Sequence, residues 1–340
     1  MEVKMNFITP GYESMELSTQ ILINEALNRN INVDVLDWQD NFITLSKGDK
    51  TEYVKQATRT SKDTYISPLI MENKQVTKKV LKERGINVPE GVTYINPEKA
   101  ILEFEKYLEK SIVIKPKSTN FGLGITILKK LRSHDEFKEA ILEAFKHDSS
   151  VLIETFIPGK EYRFLVINDE VVAVLHRVAA NVKGDGIHTI EELVKEKNKD
   201  PLRGTGYKKP LEKIKTGKEE VTFLKTQGLD LDYIPRKKEK VYLRNNSNIS
   251  TGGDSIDYTD VIPDSYKQIA IDAARTVGAK ICGADIIISD HRKEVEKDKY
   301  GNFNYGVIEL NFNPALHIHE FPFKGEKHYS EKKVLDLLGF

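Results

Sequence analysis

Two apolar stretches near the C-terminus carry carboxylates where a sheet would bury them, and few folds tolerate that. In GVIELNFN (306–313), Glu309, Asn311 and Asn313 alternate with Ile308, Leu310 and Phe312, so the three polar side chains share one strand face. In CGADIIIS (282–289), Asp285 sits among Ala284, Ile286, Ile287 and Ile288. Buried carboxylates need cationic company. With no cysteine or histidine beside them, these hard oxygen donors suit Mg²⁺ shared with phosphates. The plainer alternative is a core salt bridge.

The rest of the chain alternates helices and strands without a strict βαβ rhythm, which predicts an α+β fold of several lobes. Residues 1–65 read as a small αβ unit, with a helix over Glu16–Asn28 and strands at 31–37 and 41–49. Residues 66–150 form a second unit. It has helices near 68–84 and 97–109, the strand SIVIKP (111–116), a loop, the strand ITILKK (125–130) and a helix near 133–146. The third unit, 151–340, holds strands at 151–156, 161–168 and 170–178, a helix near 189–200, KVYLR (240–244) and a helix at 263–278. It ends in the two carboxylate strands, and residues 205–239 take no assignment. At 340 residues the chain is long enough for each unit to bury its own core.

Other residues can join the carboxylates. Lys115 lies among Ile112, Val113 and Ile114 at a strand end and leads into KSTNFGLG (117–124), where Ser118, Gly122 and Gly124 could turn amides toward an anion. That loop lacks the G-x-x-x-x-G-K-[ST] pattern, and by itself reads first as a hairpin turn. Lys74 alone is a surface lysine of a helix. Arg244 precedes the loop NNSNISTGGDS, and its fork of donors suits a carboxylate or phosphoryl group as well as solvent. Glu154 and Glu161 bracket a Pro158–Gly159 turn. His176 and His188 are too far apart to be joint ligands, and the single cysteine, Cys282, reads as core rather than nucleophile.

Charge excludes some partners. Lys plus Arg and Asp plus Glu number 52 each, so no global field favours nucleic acid or an anionic membrane. No apolar run nears the ~20 residues of a membrane span. The start lacks a secretory pattern, and a reducing cytoplasm is the expected location. An even surface charge is compatible with a homodimer.

The segments IKPKSTNFGLGIT, EYRFLVIN, VKGDGIHTIEELVKEKNKDPLRGTG, VYLRNNSNISTGGDSIDYTD, ICGADIIIS and GVIELNFNPA together resemble the ATP-grasp part of bacterial bifunctional γ-glutamylcysteine synthetase/glutathione synthetases. Cyanophycin synthetases are similar over GDGIHTI and STGGDSID. The resemblance implies an ATP-grasp fold, two α+β lobes holding ATP between them behind the small N-terminal unit. It also implies an ATP-dependent carboxylate–amine ligase, joining γ-glutamylcysteine and glycine through an acyl phosphate. ATP would be held by Lys74, Lys115, Lys117, Ser118, Gly122, Gly124, the hinge Glu154, Thr155, Phe156 and Ile157, and Glu161 at the ribose. Two Mg²⁺ ions, with Mn²⁺ as the alternative, would sit on Asp285, Glu309 and Asn311. Arg244 and Lys115 would carry catalysis, and Arg163, Arg177, Arg244, Asn248, Ser250, Thr251, Gly252 and Gly253 would line the substrate site.

Ala179 stands where relatives have proline, and Lys183 where they have an apolar residue. Relatives also carry a glutamate–cysteine ligase domain ahead of this region. A chain of 340 residues leaves no room for it, so another protein is expected to supply γ-glutamylcysteine. Two rivals stay open: a different peptide ligase of the same fold, such as a cyanophycin-synthetase-like enzyme, and a non-catalytic nucleotide-binding relative.

Overall fold

The computed structural model describes residues 7–117, 124–299 and 301–340. Its three main sheets are all antiparallel, as an α+β chain requires. The N-terminal sheet is a meander of Asn32–Asp37, Phe42–Lys47 and Lys50–Lys55. A four-stranded sheet runs in the order Gly91–Tyr94, Val151–Thr155, Ile112–Pro116, Thr126–Leu128. The large sheet has the order Asp254–Asp257, Glu170–Val178, Lys160–Ile167, Ile281–Ile288, Tyr305–Asn311.

The large sheet explains how charge and core coexist. On one face Tyr162, Phe164, Val166, Cys282, Ala284, Ile286 and Leu310 meet the helix Asp264–Thr276 through Tyr266, Ala270, Ala273 and Ala274. The opposite face is divided. Its apolar end, Leu165, Ile167, Ala173 and Ile281, closes against Leu22, Ile23, Ile43 and Leu45 of the N-terminal unit and Val334 and Leu335 of the helix Ser330–Leu338. Further along the same strands and on the same face, the alternation delivers Arg163 and then Glu161 beyond Leu165, and Asp285 beyond Ile281. Each large apolar side chain buried at the closed end stabilises the fold by about 1.5–3 kcal/mol, which holds the charged end in register. The N-terminal unit therefore shares a core with the large sheet and does not own one, contrary to the sequence expectation.

The second sheet packs on the helix His134–Phe145, where Phe137, Ile141 and Ala144 meet Ile112, Ile114 and Ile153. Ser133 caps that helix by accepting from the Glu136 amide. The helix predicted over 68–84 is two helices, Ile66–Glu72 and Lys74–Glu83. Extended Asn73 breaks it, and its side chain accepts from the Gln75 and Val76 amides, making Lys74 the first residue of a new helix. The helix predicted over 97–109 breaks likewise, at Glu103.

Residues 181–243 form a small unit with its own core of Ala180, Val182, Ile190, Val194, Ile214, Leu224, Val241 and Leu243. It contains the helix Ile190–Lys197, started by a Thr189–Glu192 capping box, and the helix Lys218–Thr226. Among the described residues no helix is long and apolar enough to cross a membrane.

Candidate active site

Two lysines converge on one buried carboxylate, and a third stands beside them. Glu154, on the strand Val151–Thr155, is 3% exposed, and Lys115 of the neighbouring strand approaches its Oε2 at 2.7 Å. Lys78, one turn along the helix that Asn73 starts, pairs with Glu154 Oε1. Lys74, at the helix start, lies 3.5 Å from Glu309 Oε1 of the large sheet. Three cations thus face two carboxylates. Burial, with Lys115 and Lys74 nearby, pushes Lys78 down to about 6; burial and Lys74 push Lys115 down to about 8. Losing protons relieves the crowding of these lysines, and an anion placed beside them would favour their charged forms.

The charged end of the large sheet adjoins it. Asp285 and Glu309 are directly opposite one another on adjacent strands, as are Gly283 and Asn311. Asp285 is almost wholly buried. It receives both a short Arg163 Nε contact and an Arg163 Nη2 bond of 2.7 Å, with Arg177 Nη2 at 2.9 Å. Burial raises its carboxyl, but the two guanidinium groups outweigh burial and hold it below its ordinary value. Arg177 also pairs with Glu161, whose Oε2 accepts from Ser247 Oγ at 2.8 Å.

This arrangement can be tested for a divalent metal. The donors are all oxygens, as Mg²⁺ prefers. Asn311 gives its amide N–H to Gly283 O at 3.2 Å, which leaves its carbonyl oxygen for a ligand. Glu309 is one-third exposed and pairs with Lys74. The set fits a hard cation on Glu309 and Asn311. Both oxygens of Asp285 are taken by arginine, so the cationic company of that residue is here protein-borne.

Several expected positions look different in the fold. Glu154 was placed at an adenine hinge, but its carboxylate points into the lysine cluster, and only Thr155, Phe156 and Ile157 are left to form a hinge. The Thr155 and Phe156 amides are held by Glu90 O and Ser111 O. Glu161, placed at a ribose, is engaged by Arg177 and Ser247. The Arg244 guanidinium is engaged by Glu219 and by Glu220, at 2.6–2.7 Å from the latter. Asn248, Ser250, Thr251, Gly252 and Gly253 form one tight turn, with Thr251 Oγ1 on Asn246 Oδ1 at 2.9 Å and the Gly253 amide on Asn248 O.

Lys117 keeps its amide on Ser150 O, and Gly124 has φ +70°, with Pro116 and His147 too close to admit a Cβ. Ser118 and Gly122 lie outside the described residues. Lys78 was not foreseen; its position four residues after Lys74, on the same helical face, was the available signal. Cys282 is fully buried and its thiol is pushed up to about 12, as a core residue.

Comparison with known proteins agrees with this architecture. Residues 13–66 match the ATP-grasp-like domain family, and residues 52–199 the sugar-transfer associated ATP-grasp family. The chain is 59% identical over 96% of its length to the glutathione biosynthesis bifunctional protein of Clostridium perfringens, and 56% identical over 96% to that of Listeria innocua. It covers 42% of each, so it spans less than half the length of these curated relatives. A crystal structure of a bifunctional glutathione synthetase from Pasteurella multocida superposes with a TM-score of 0.78 at 46% identity, over 98% of this chain and 45% of that one. The chain therefore has the ATP-grasp fold, and over nearly its whole length it is similar to one portion of the bacterial glutathione biosynthesis bifunctional proteins.

Proposed function

We propose that the chain is a glutathione synthetase: ATP phosphorylates the cysteinyl carboxylate of γ-glutamylcysteine, glycine attacks the acyl phosphate, and glutathione, ADP and phosphate leave. The observation that carries this reading is the 59% identity to a glutathione biosynthesis protein, on a fold that gathers Lys74, Lys78 and Lys115 around Glu154 and Glu309. In the first step the γ-phosphoryl group moves to a carboxylate oxygen and ADP departs. Lys74, Lys78 and Lys115 spread the charge on the phosphates during that transfer. In the second step the glycine nitrogen bonds to the acyl carbon, phosphate carries away the bonding pair, and the amine proton passes to solvent. No protein nucleophile is required, in keeping with the buried state of Cys282.

Glu309 and Asn311 would hold Mg²⁺, and the bound ion would neutralise phosphate oxygens. Lobe closure over the phosphates would exclude water from the acyl phosphate. We place the enzyme in the cytoplasm, acting on small molecules. The three proposed units keep the boundaries 1–65, 66–150 and 151–340, with the nucleotide between the last two.

The test is ADP release by the purified chain with Mg²⁺-ATP and γ-glutamylcysteine, with and without glycine, and the product identified by mass. Glycine-dependent release yielding glutathione is expected. Release only with another acceptor leaves a ligase with a different substrate, and tight ATP binding without turnover overturns the reading.

The lysine cluster also predicts a proton effect. Lys78 and Lys115 titrate at about 6 and about 8, so near pH 7.5 the free site is partly deprotonated. A polyanion favours the charged lysines and raises both values. ATP binding should therefore take up about one proton near pH 7.5 and none near pH 5.5. Calorimetric titration in buffers of different ionisation enthalpy measures this; proton release would contradict it.

A further inference from the structure

Residues 181–243 bring a buried arginine to the loop that follows Arg244. The Arg203 side chain is wholly buried. Its Nη1 donates to Glu212 O at 2.7 Å and to Gly252 O at 3.1 Å; its Nη2 reaches Gly253 O at 3.5 Å and pairs with Asp254. Asp254 also accepts from Lys197 Nζ at 2.7 Å and Asn181 Nδ2 at 2.9 Å, both from the same small unit.

The turn that Arg203 grips leaves no slack. Gly252 has φ +92°, and a Cβ there would lie 2.7 Å from Ile214 Cα. A Cβ on Gly253 would lie 2.8 Å from Asn248 O and 2.9 Å from Val178 O. Ile214 is itself fixed by a reciprocal pair of bonds with the Asn198 side chain, each 2.9 Å. The other end of the loop is tied to the same unit by Glu219 and Glu220, which engage Arg244. Between these two anchors Ser247 touches Glu161, and just past the second Ser255 stands opposite Arg177 on the neighbouring strand.

We infer that Arg203 is a positioning residue: through the Gly252 and Gly253 carbonyls and Asp254 it fixes the 244–254 loop against the charged sheet face, and so sets how the peptide substrate is held. The two carbonyls and the buried carboxylate need a planar fork of donors at this point, which lysine cannot reproduce. The inference rests on the proposed ligase reading for its kinetic consequence, but not for its structural one.

Two measurements on the full chain separate them. Arg203→Met should raise KM for γ-glutamylcysteine or lower kcat at least tenfold while KM for ATP stays within twofold; Arg203→Lys should fall between. Hydrogen exchange of the 246–253 amides should speed up at least tenfold in Arg203→Met, with the 151–155 strand unchanged, and recover partly in Arg203→Lys. If Arg203→Met fails to fold, Arg203→Lys and Asp254→Asn carry the same comparison. If the parent chain makes no glutathione, the functional reading falls and the exchange result alone decides. Unchanged loop protection, or an equal loss of ATP affinity and protection throughout the chain, overturns the inference.

Discussion

Glu309→Gln should reduce ligase turnover by about a thousandfold or more while leaving the fold intact. The side chain is one-third exposed at the outer strand of the large sheet, 3.5 Å from Lys74, so its ion pair is worth at most ~1 kcal/mol to stability. Its value lies in charge. Glutamine keeps the shape and one carbonyl oxygen but removes the negative charge that a divalent cation and Lys74 both require. Preorganised charge of this kind is worth roughly 10²–10³ in rate for each group removed, and here a metal donor and a lysine partner are lost together. ATP binding without metal should be unchanged or tighter, because a negative charge leaves the phosphate site. Steady-state kinetics, calorimetric ATP titration with and without Mg²⁺, and a melting curve decide the case. A rate within tenfold of the parent would remove Glu309 from the metal site.

This prediction rests on features already readable in the sequence. The period-two alternation put Glu309 and Asn311 on one face and Asp285 on a second strand. The fold then set Asp285 and Glu309 directly opposite each other. Lys115 was conspicuous because a lysine among Ile112, Val113 and Ile114 needs somewhere to go. Lys78 was less so: its place on the helical face of Lys74 was visible, but its burial is created by the arrival of Glu154 from a strand 76 residues away.

Arg203 was illegible for a related reason. It lies in a two-residue strand paired with another two-residue strand, too short for any periodicity, and its partners are mostly backbone carbonyls. Other misses had signals. Asn73 before Lys74 is an N-cap, and Ser330 followed by Gly339 brackets the final helix. Glu154 read as one side of a Pro158–Gly159 turn, while its position inside VLIET, a strand buried up to Glu154, was the better guide to its burial.

Replacing Asp285 with Asn should be the most destabilising single change in the site, costing about 3–5 kcal/mol. The aspartate is nearly fully buried between Arg163 and Arg177, and Arg163 has no other carboxylate partner among the described residues, whereas Arg177 keeps Glu161. Asparagine would present an N–H₂ to guanidinium donors and leave Arg163 charged in a dry site. For a chain of this size the loss corresponds to a melting point roughly 4–7 °C lower. The pH dependence fixes the sign. Because the folded carboxyl titrates below its ordinary value of 3.8, its stabilisation is fully present above that value and is lost as pH falls through the folded one. Asp285→Asn should therefore narrow its gap from the parent in strong acid. The double variant Asp285→Leu with Arg163→Met removes both charges, and should be less destabilised than the sum of its two single changes by at least ~1 kcal/mol. Strict additivity in that cycle, or a cost below ~1 kcal/mol for Asp285→Asn, would mean that the arginines find solvent when the carboxylate is gone. The charged end of the sheet would then be open enough for Asp285 to serve a metal directly.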